Sequence, residues 1–319
     1  MDVGPSCAPD DTPISQAPDG YTSAVYRVRV GTEFVTANGI RFHLRTDGDG
    51  PLLLLLHGFP QTSYMWHNVM PALAASGYRV VAPDLRGIGE SSRPKRISDY
   101  RLRTLGDDVA ALIRALGAER AHVIGHDWGG VIAWQAAFSH PEVVDRLVVV
   151  NAPPAQAIVG AWLTSPRQLG RSWYVFFFNL PWLPEWLLAR PRTMGRLLWP
   201  GNFSDGEIEV YRDAITRPGA ARAGLAYYRA ATRWVVPELR RLRRKRVLSP
   251  TLVLWGERDP ALGKELTLHL DRYVRGPLRI QQLPDAGHWI IQDFPERFVE
   301  LVTDFLADPG YAEARPSPR

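Results

Sequence analysis

An α/β fold, with a mostly parallel central sheet and helices on both faces, is the architecture this sequence predicts, and three observations predict it. Short apolar runs at 52–56, 78–82, 121–125, 146–151, 251–255 and 278–283 alternate with longer helical patterns, as expected of parallel strands joined by crossover helices. The run at 121–125 passes through Gly125-His126-Asp127-Trp128-Gly129-Gly130 into an apolar stretch at 131–138, so strand, sharp turn and helix follow one another. The alternation then stops between Asn151 and about Pro250, where the chain is helical in pattern, Pro-interrupted and aromatic. A segment inserted there would lie over the C-terminal ends of the strands, where open α/β sheets bind ligands.

The elements follow in order. Residues 1–20 hold no Lys or Arg and no apolar run, which fits neither a secretory signal nor a transit peptide. They read as a loosely held tail, and cytoplasmic residence is expected. Ser23 to Val30 and Phe34 to Leu44 show the alternation of antiparallel strands, with a turn at Asn38-Gly39. Pro51 to Leu56 is far short of the ~20 apolar residues of a membrane span, so no membrane insertion is expected. The helical segment holds six of the eleven tryptophans: Trp162, Trp173, Trp182, Trp186, Trp199 and Trp234. The expected organisation is a tail at 1–20, a core at 21–151 and 247–308, a helical cap at 152–246 and a tail at 309–319.

At 319 residues the chain can bury one large core, or a core plus a smaller domain. Its 45% hydrophobic and 22% charged content is that of an ordinary globular protein. The single cysteine, Cys7, excludes an internal disulfide. A net charge of +5 and the basic run from Arg240 to Arg246 read as a solvated segment. No nucleic-acid module accompanies them, so no nucleic-acid partner is expected. The eight histidines show no ligand spacing; His122 and His126 lie on a strand and its turn rather than one helix face. Neither metal nor cofactor is expected. Homo-oligomerisation is left open.

The chemistry centres on Asp127, which stands where an esterase would carry its serine. A serine attacking an sp³ carbon would give an inert ether, whereas a carboxylate gives an ester that water can reopen. An ordinary carboxyl is ionised at neutral pH and needs no base for the first attack, so epoxides and alkyl halides are the candidate substrates. The competing reading is a helix N-cap, a common role for Asp. A base and its partner are also needed. His288 follows the last strand candidate, and Asp259 follows the one before it, with Glu257 as an alternative acid; this order of nucleophile, acid and histidine is that of α/β-hydrolases. The backbone N–H groups of Phe59 and Trp128 are placed to form an oxyanion hole. His57 and His126 read as structural.

The segments His57-Gly58-Phe59-Pro60, Asp84-Leu85-Arg86-Gly87-Ile88-Gly89-Glu90-Ser91-Ser92, the turn around Asp127 and Gly287-His288-Trp289 resemble those of the epoxide hydrolase branch of the α/β-hydrolase superfamily. The resemblance runs from about Tyr26 to Leu306 and implies the α/β-hydrolase fold with a lid. Related dehalogenases share these motifs, so the lid decides the leaving group. Epoxide hydrolases carry two lid tyrosines that protonate the departing oxygen; the segment 172–181 resembles the first, at Tyr174, and Ala226-Tyr227-Tyr228-Arg229 the second. Tyr227 is a close neighbour, but the Tyr-Arg pairing favours Tyr228. The plain alternative is that these phenols only pack the lid. Phe59, Trp128, Phe178 and Trp289 are the expected substrate-contacting side chains. A second halide donor in many haloalkane dehalogenases is an Asn where this chain has Phe59, and fluoroacetate-type dehalogenases have an Arg where it has Trp128. The expectation is a cofactor-free epoxide hydrolase that turns an apolar epoxide and water into a vicinal diol. A haloalkane dehalogenase with the same nucleophile is the alternative, and a non-catalytic small-molecule-binding homologue the remote one.

Overall fold

A computed structural model describes residues 30–198 and 201–311. The leader with Cys7, residues 23–29 of the strand expected from Ser23 to Val30, Trp199 and the chain end from 312 lie outside the described residues, and Val30 itself is in no strand. The sheet has eight strands: β1 (Gly31–Ala37), β2 (Ile40–Asp47), β3 (Leu52–Leu56), β4 (Arg79–Pro83), β5 (Ala121–His126), β6 (Val144–Val150), β7 (Thr251–Gly256) and β8 (Leu278–Leu283). Their order is β1-β2-β4-β3-β5-β6-β7-β8. β1 and β2 form an antiparallel hairpin, β2 runs antiparallel to β4, and every other pairing is parallel.

The hairpin turns at Asn38 and Gly39, both at positive φ (45° and 72°), as a tight two-residue turn demands. The turn therefore divides the expected strand Phe34–Leu44 into two paired strands. β3 and β5 are buried at every position, which explains why they read as unbroken apolar runs: strands covered on both faces have no solvent side to alternate toward. Helix Leu102–Ala115 packs on helix Trp128–Ser139, and helix Met70–Ala75 on helix Pro295–Ala307.

Between β6 and β7 the described chain contains helices and no strand of the sheet: Ala155–Thr164, Pro166–Arg171, Trp173–Phe177, Leu183–Leu188, Pro191–Leu198, Asp205–Thr216 and Ala220–Leu242. The last is bent at Trp234, whose φ of −114° and ψ of 17° are not helical. Pro237 lies three residues on; it offers no N–H and crowds the preceding turn, which bends a helix. Arg240, Arg243, Arg244, Lys245 and Arg246 of the basic run are exposed, whereas Arg241 pairs with Glu238 and donates to Ser139. Past the last helix, Pro309–Tyr311 makes a short turn that sets the Tyr311 ring 5.2 Å from that of Phe305.

Candidate active site

The loops after β3, β5, β6, β7 and β8 all leave from the same edge of the sheet, and they carry Phe59, Asp127, Asn151, Asp259 and His288. Asp127 has φ 51° and ψ −120°, a conformation that a residue with a Cβ rarely adopts and that the surroundings must hold in place. Its N–H donates to the Val150 carbonyl at 3.2 Å, and its own carbonyl accepts from Val131 at 3.0 Å. Close approach to β3 requires glycine twice. A Cβ at Gly129 would stand 2.0 Å from the Leu56 oxygen, and one at Gly58 would stand 2.6 Å from the Asp127 Cβ.

The Asp127 side chain makes no capping bond to the helix that follows. Instead Oδ1 accepts from the Phe59 N–H at 2.9 Å, and the Trp128 N–H also bonds the carboxylate. Oδ2 lies 3.8 Å from His288 Nε2. The other imidazole nitrogen, Nδ1, is 2.6 Å from Asp259 Oδ2. Asp259 is fully buried; its Oδ1 accepts from Ala261 and Leu262 N–H at 2.8 and 2.9 Å. Glu257, the alternative acid, pairs with Lys264 on the surface side of the same loop.

Asn151 is a residue the sequence reading missed. Its Nδ2 donates to Asp259 Oδ2 at 2.7 Å, and its Oδ1 accepts from Gly256 N–H at 3.1 Å, so it holds the acid on β7's loop from the end of β6. A clue exists in hindsight, since Asn tolerates positive φ at the end of a strand and Asn151 has φ 43°.

These charges set the protonation states. Burial pushes the Asp127 carboxyl above its ordinary value of 3.8, against the pull of His288 and the two N–H groups. For His288, burial alone would lower the pKa, but the charge of Asp259, the bond to it and the charge of Asp127 together raise it above 6.5. Asp259 is lowered: burial opposes ionisation, and His288, the Leu262 N–H and Asn151 outweigh it. His126 is buried and pushed down to about 3, chiefly by desolvation. It is therefore neutral, and its Nε2 donates to the His288 carbonyl at 2.9 Å. His57 is also buried and lowered; it accepts the Leu85 N–H on Nε2 at 3.0 Å, with Nδ1 2.9 Å from the Gly58 carbonyl. Both histidines hold backbone.

Above Asp127 is a cavity of about 120 Å³ that Asp127, Trp128, Tyr174 and Tyr228 border, with Trp162 and Trp234 among the apolar residues of its walls. The Tyr174 and Tyr228 rings lie 6.1 Å apart at 82°. Burial, then the nearby Asp127 charge, raises both phenols above 10, so both are protonated donors. Tyr227 points elsewhere: its hydroxyl donates to the Arg86 carbonyl at 2.7 Å. Arg229 donates to the Phe178 and Leu180 carbonyls and pairs with Glu185, tying the helix of Tyr228 to the segment of Tyr174.

The four side chains expected to touch substrate differ in place. Trp128 borders the cavity. Phe59 and Phe178 pack edge-on against Tyr228 at 5.5 and 4.9 Å and stand behind it. Trp289 is buried against His288, His126 and Phe203, packing on the His288 imidazole. Among the described residues, no cluster of His, Cys, Asp and Glu could hold a metal ion, and no helix is long and apolar enough to cross a membrane.

Comparison with known proteins adds an independent line. A family description, alpha/beta hydrolase fold, matches residues 51–190. Epoxide hydrolase 3 of Xenopus tropicalis is 39% identical over 284 residues, covering 85% of this chain and 76% of that protein. Epoxide hydrolase 4 of Homo sapiens is 34% identical, covering 85% and 77%. The crystal structure of epoxide hydrolase A from Mycobacterium thermoresistibile superimposes with a TM-score of 0.75 at 30% identity, over 86% of this chain and 98% of that one.

Proposed function

The chain belongs to the epoxide hydrolases of the α/β-hydrolase superfamily, hydrolases acting on ether bonds, and from that premise we propose that it converts an apolar epoxide and water to a vicinal diol through an ester on Asp127. One observation carries the reading: the Asp127 carboxylate and the Tyr174 and Tyr228 phenols border the same apolar cavity. Helices 155–242 act as its cap.

The two carboxylate oxygens have different roles. Oδ1 accepts the Phe59 N–H, so Oδ2 attacks an epoxide carbon. The carbon–oxygen bond of the ring breaks, and the departing alkoxide takes a proton from Tyr174 or Tyr228. An ordinary phenol is more acidic than an alcohol, so it can donate to the developing alkoxide. His288 then removes a proton from water, which attacks Cγ of the ester. The charge that develops on Oδ1 meets N–H donors already in place. Collapse breaks the bond from Cγ to Oδ2 and frees the diol, which takes the proton back from His288; the water's other proton, left on the Asp127 carboxyl, passes by way of solvent to the tyrosinate, so both the carboxylate and the phenol are restored. Asp259, steadied by Asn151, keeps Nε2 turned toward the ester.

Incubation with aryl and alkyl epoxides and with 1-haloalkanes, scoring diol against halide, tests the assignment. The expected result is diol from epoxides; halide release outpacing diol formation would transfer it to the dehalogenase reading. A His288→Gln variant is expected to accumulate an adduct of one substrate mass on Asp127, seen by intact-protein mass spectrometry. An unmodified variant under saturating epoxide would remove the ester from the mechanism.

A further inference from the structure

Of the thirteen large hydrophobic side chains exposed among the described residues, seven fall between positions 163 and 186, in the helices over the cavity. Their spacing is regular. Leu169, Trp173 and Phe176 follow one another at steps of four and three, and Ser172 carries the helical bonding across the joint through N–H bonds to Gln168 and Leu169, so they share one face, with Leu180 exposed just past the helix end. The residues between them, Tyr174 and Phe178, turn inward to Tyr228. Trp182 and Trp186 repeat the pattern at a step of four, with the Arg190 guanidinium 3.5 Å over the Trp186 ring. Trp173 is 64% exposed, Trp182 73% and Leu163 83%. Trp182 also has φ 48°, a costly conformation for a bulky residue, although most of it stands in solvent. A patch of this kind marks an interaction surface.

Charge identifies the partner. From 163 to 198 the chain has five arginines and one carboxylate, Glu185, which Arg229 occupies. Arg167, Arg190, Arg192 and Arg196 are exposed, and none pairs with a carboxylate among the described residues. A second copy docking by this face would set arginines against arginines, because a two-fold contact presents the same patch twice. We propose that the face seats on an anionic lipid bilayer, its Trp, Phe and Leu side chains in the headgroup layer and its arginines on lipid phosphates. The cavity wall lies directly beneath: Trp162 borders the cavity, and its ring lies 5.6 Å from that of Phe176 in the exposed stripe. A bilayer is also where an apolar substrate collects.

Co-sedimentation of the full chain with vesicles of phosphatidylcholine, with and without one-third phosphatidylglycerol, tests this. Binding is expected to be roughly ten-fold or more tighter to the anionic vesicles and to weaken as salt rises. The triple variant Trp173→Ser, Trp182→Ser, Trp186→Ser should lose binding yet turn over a water-soluble aryl epoxide at the wild-type rate, which also verifies its fold. Arg167→Gln, Arg192→Gln, Arg196→Gln should abolish the preference for anionic lipid in a chain with its apolar side chains intact. No sedimentation of the wild type, binding unchanged in either variant, or a wild-type dimer that the tryptophan variant dissociates would each overturn the proposal. The vesicle assay does not depend on the reaction, so the two readings can fail separately.

Discussion

Tyr228 and its neighbour Tyr227 show how far one residue position matters. Successive residues on a helix point about 100° apart, which sends Tyr227 to the Arg86 carbonyl and Tyr228 to the cavity. If both cavity phenols serve the departing oxygen, Tyr174→Phe or Tyr228→Phe alone should slow ring opening. The double variant should lose at least about 10²-fold in alkylation rate, the lower bound of general-acid assistance, while hydrolysis of a preformed ester is unchanged. Stopped-flow tryptophan fluorescence separates the two steps, and a double variant alkylating at the wild-type rate would exclude the role. His288 offers a second test. Its proton is held partly by the charge of Asp127; the proposed ester would remove that charge and free the imidazole to act as base at the step that needs one. Asp127→Asn imitates the neutral ester, so the His288 pKa measured by NMR should be lower in that variant. Because the base must be neutral, ester hydrolysis should fall as pH drops through this value; an unchanged His288 pKa would contradict the coupling. Asp127, Asp259 and His288 were legible in the sequence because each follows a strand of its own. Asn151 was not, because its partner Asp259 is 108 positions away and an Asn after a strand reads as a turn.

Elements were legible where burial made the pattern simple. The inner parallel strands lie within a residue or two of the apolar runs, and the turn expected at Asn38-Gly39 is the one that separates β1 from β2. The bend at Trp234 was read only as an interruption by Pro, since the sequence shows that Pro237 disturbs the helix but not which turn yields. The loop after β4 is secured by Asp84, which accepts from Ser63 N–H at 2.8 Å, Glu90 N–H at 2.9 Å and His43 Nδ1 at 2.9 Å. Burial alone would raise its pKa, but these bonds and the nearby His57 carry it down from 3.8 to about 2. A carboxylate lowered in this way contributes stability above its unfolded value and loses it as pH falls through the folded one. Asp84→Asn should therefore cost about 2 kcal/mol at neutral pH. In urea melts the gap between variant and wild type should close as pH falls from about 4 toward 2. A constant gap would show that the loop relies on packing instead.

At the scale of the whole molecule, alternating runs predicted the parallel sheet and the long helical insertion between two of its strands. What composition could not show is that the insertion has two faces, one enclosing a reaction and one presenting tryptophans to the outside. If the ester proposed above forms, Oδ1 of Asp127 stays on the Phe59 N–H while Oδ2 departs with each diol, and the chain would keep one permanent oxygen at this position and replace the other from water in every cycle. After many turnovers in ¹⁸O-water, a peptide containing Asp127 should gain one heavy atom and then stop. A second label would mean that the carboxylate rotates between cycles, and no label would mean that it never forms a bond to substrate at all. A protein that has worked is then distinguishable by mass from one that has not, with a single atom as the record.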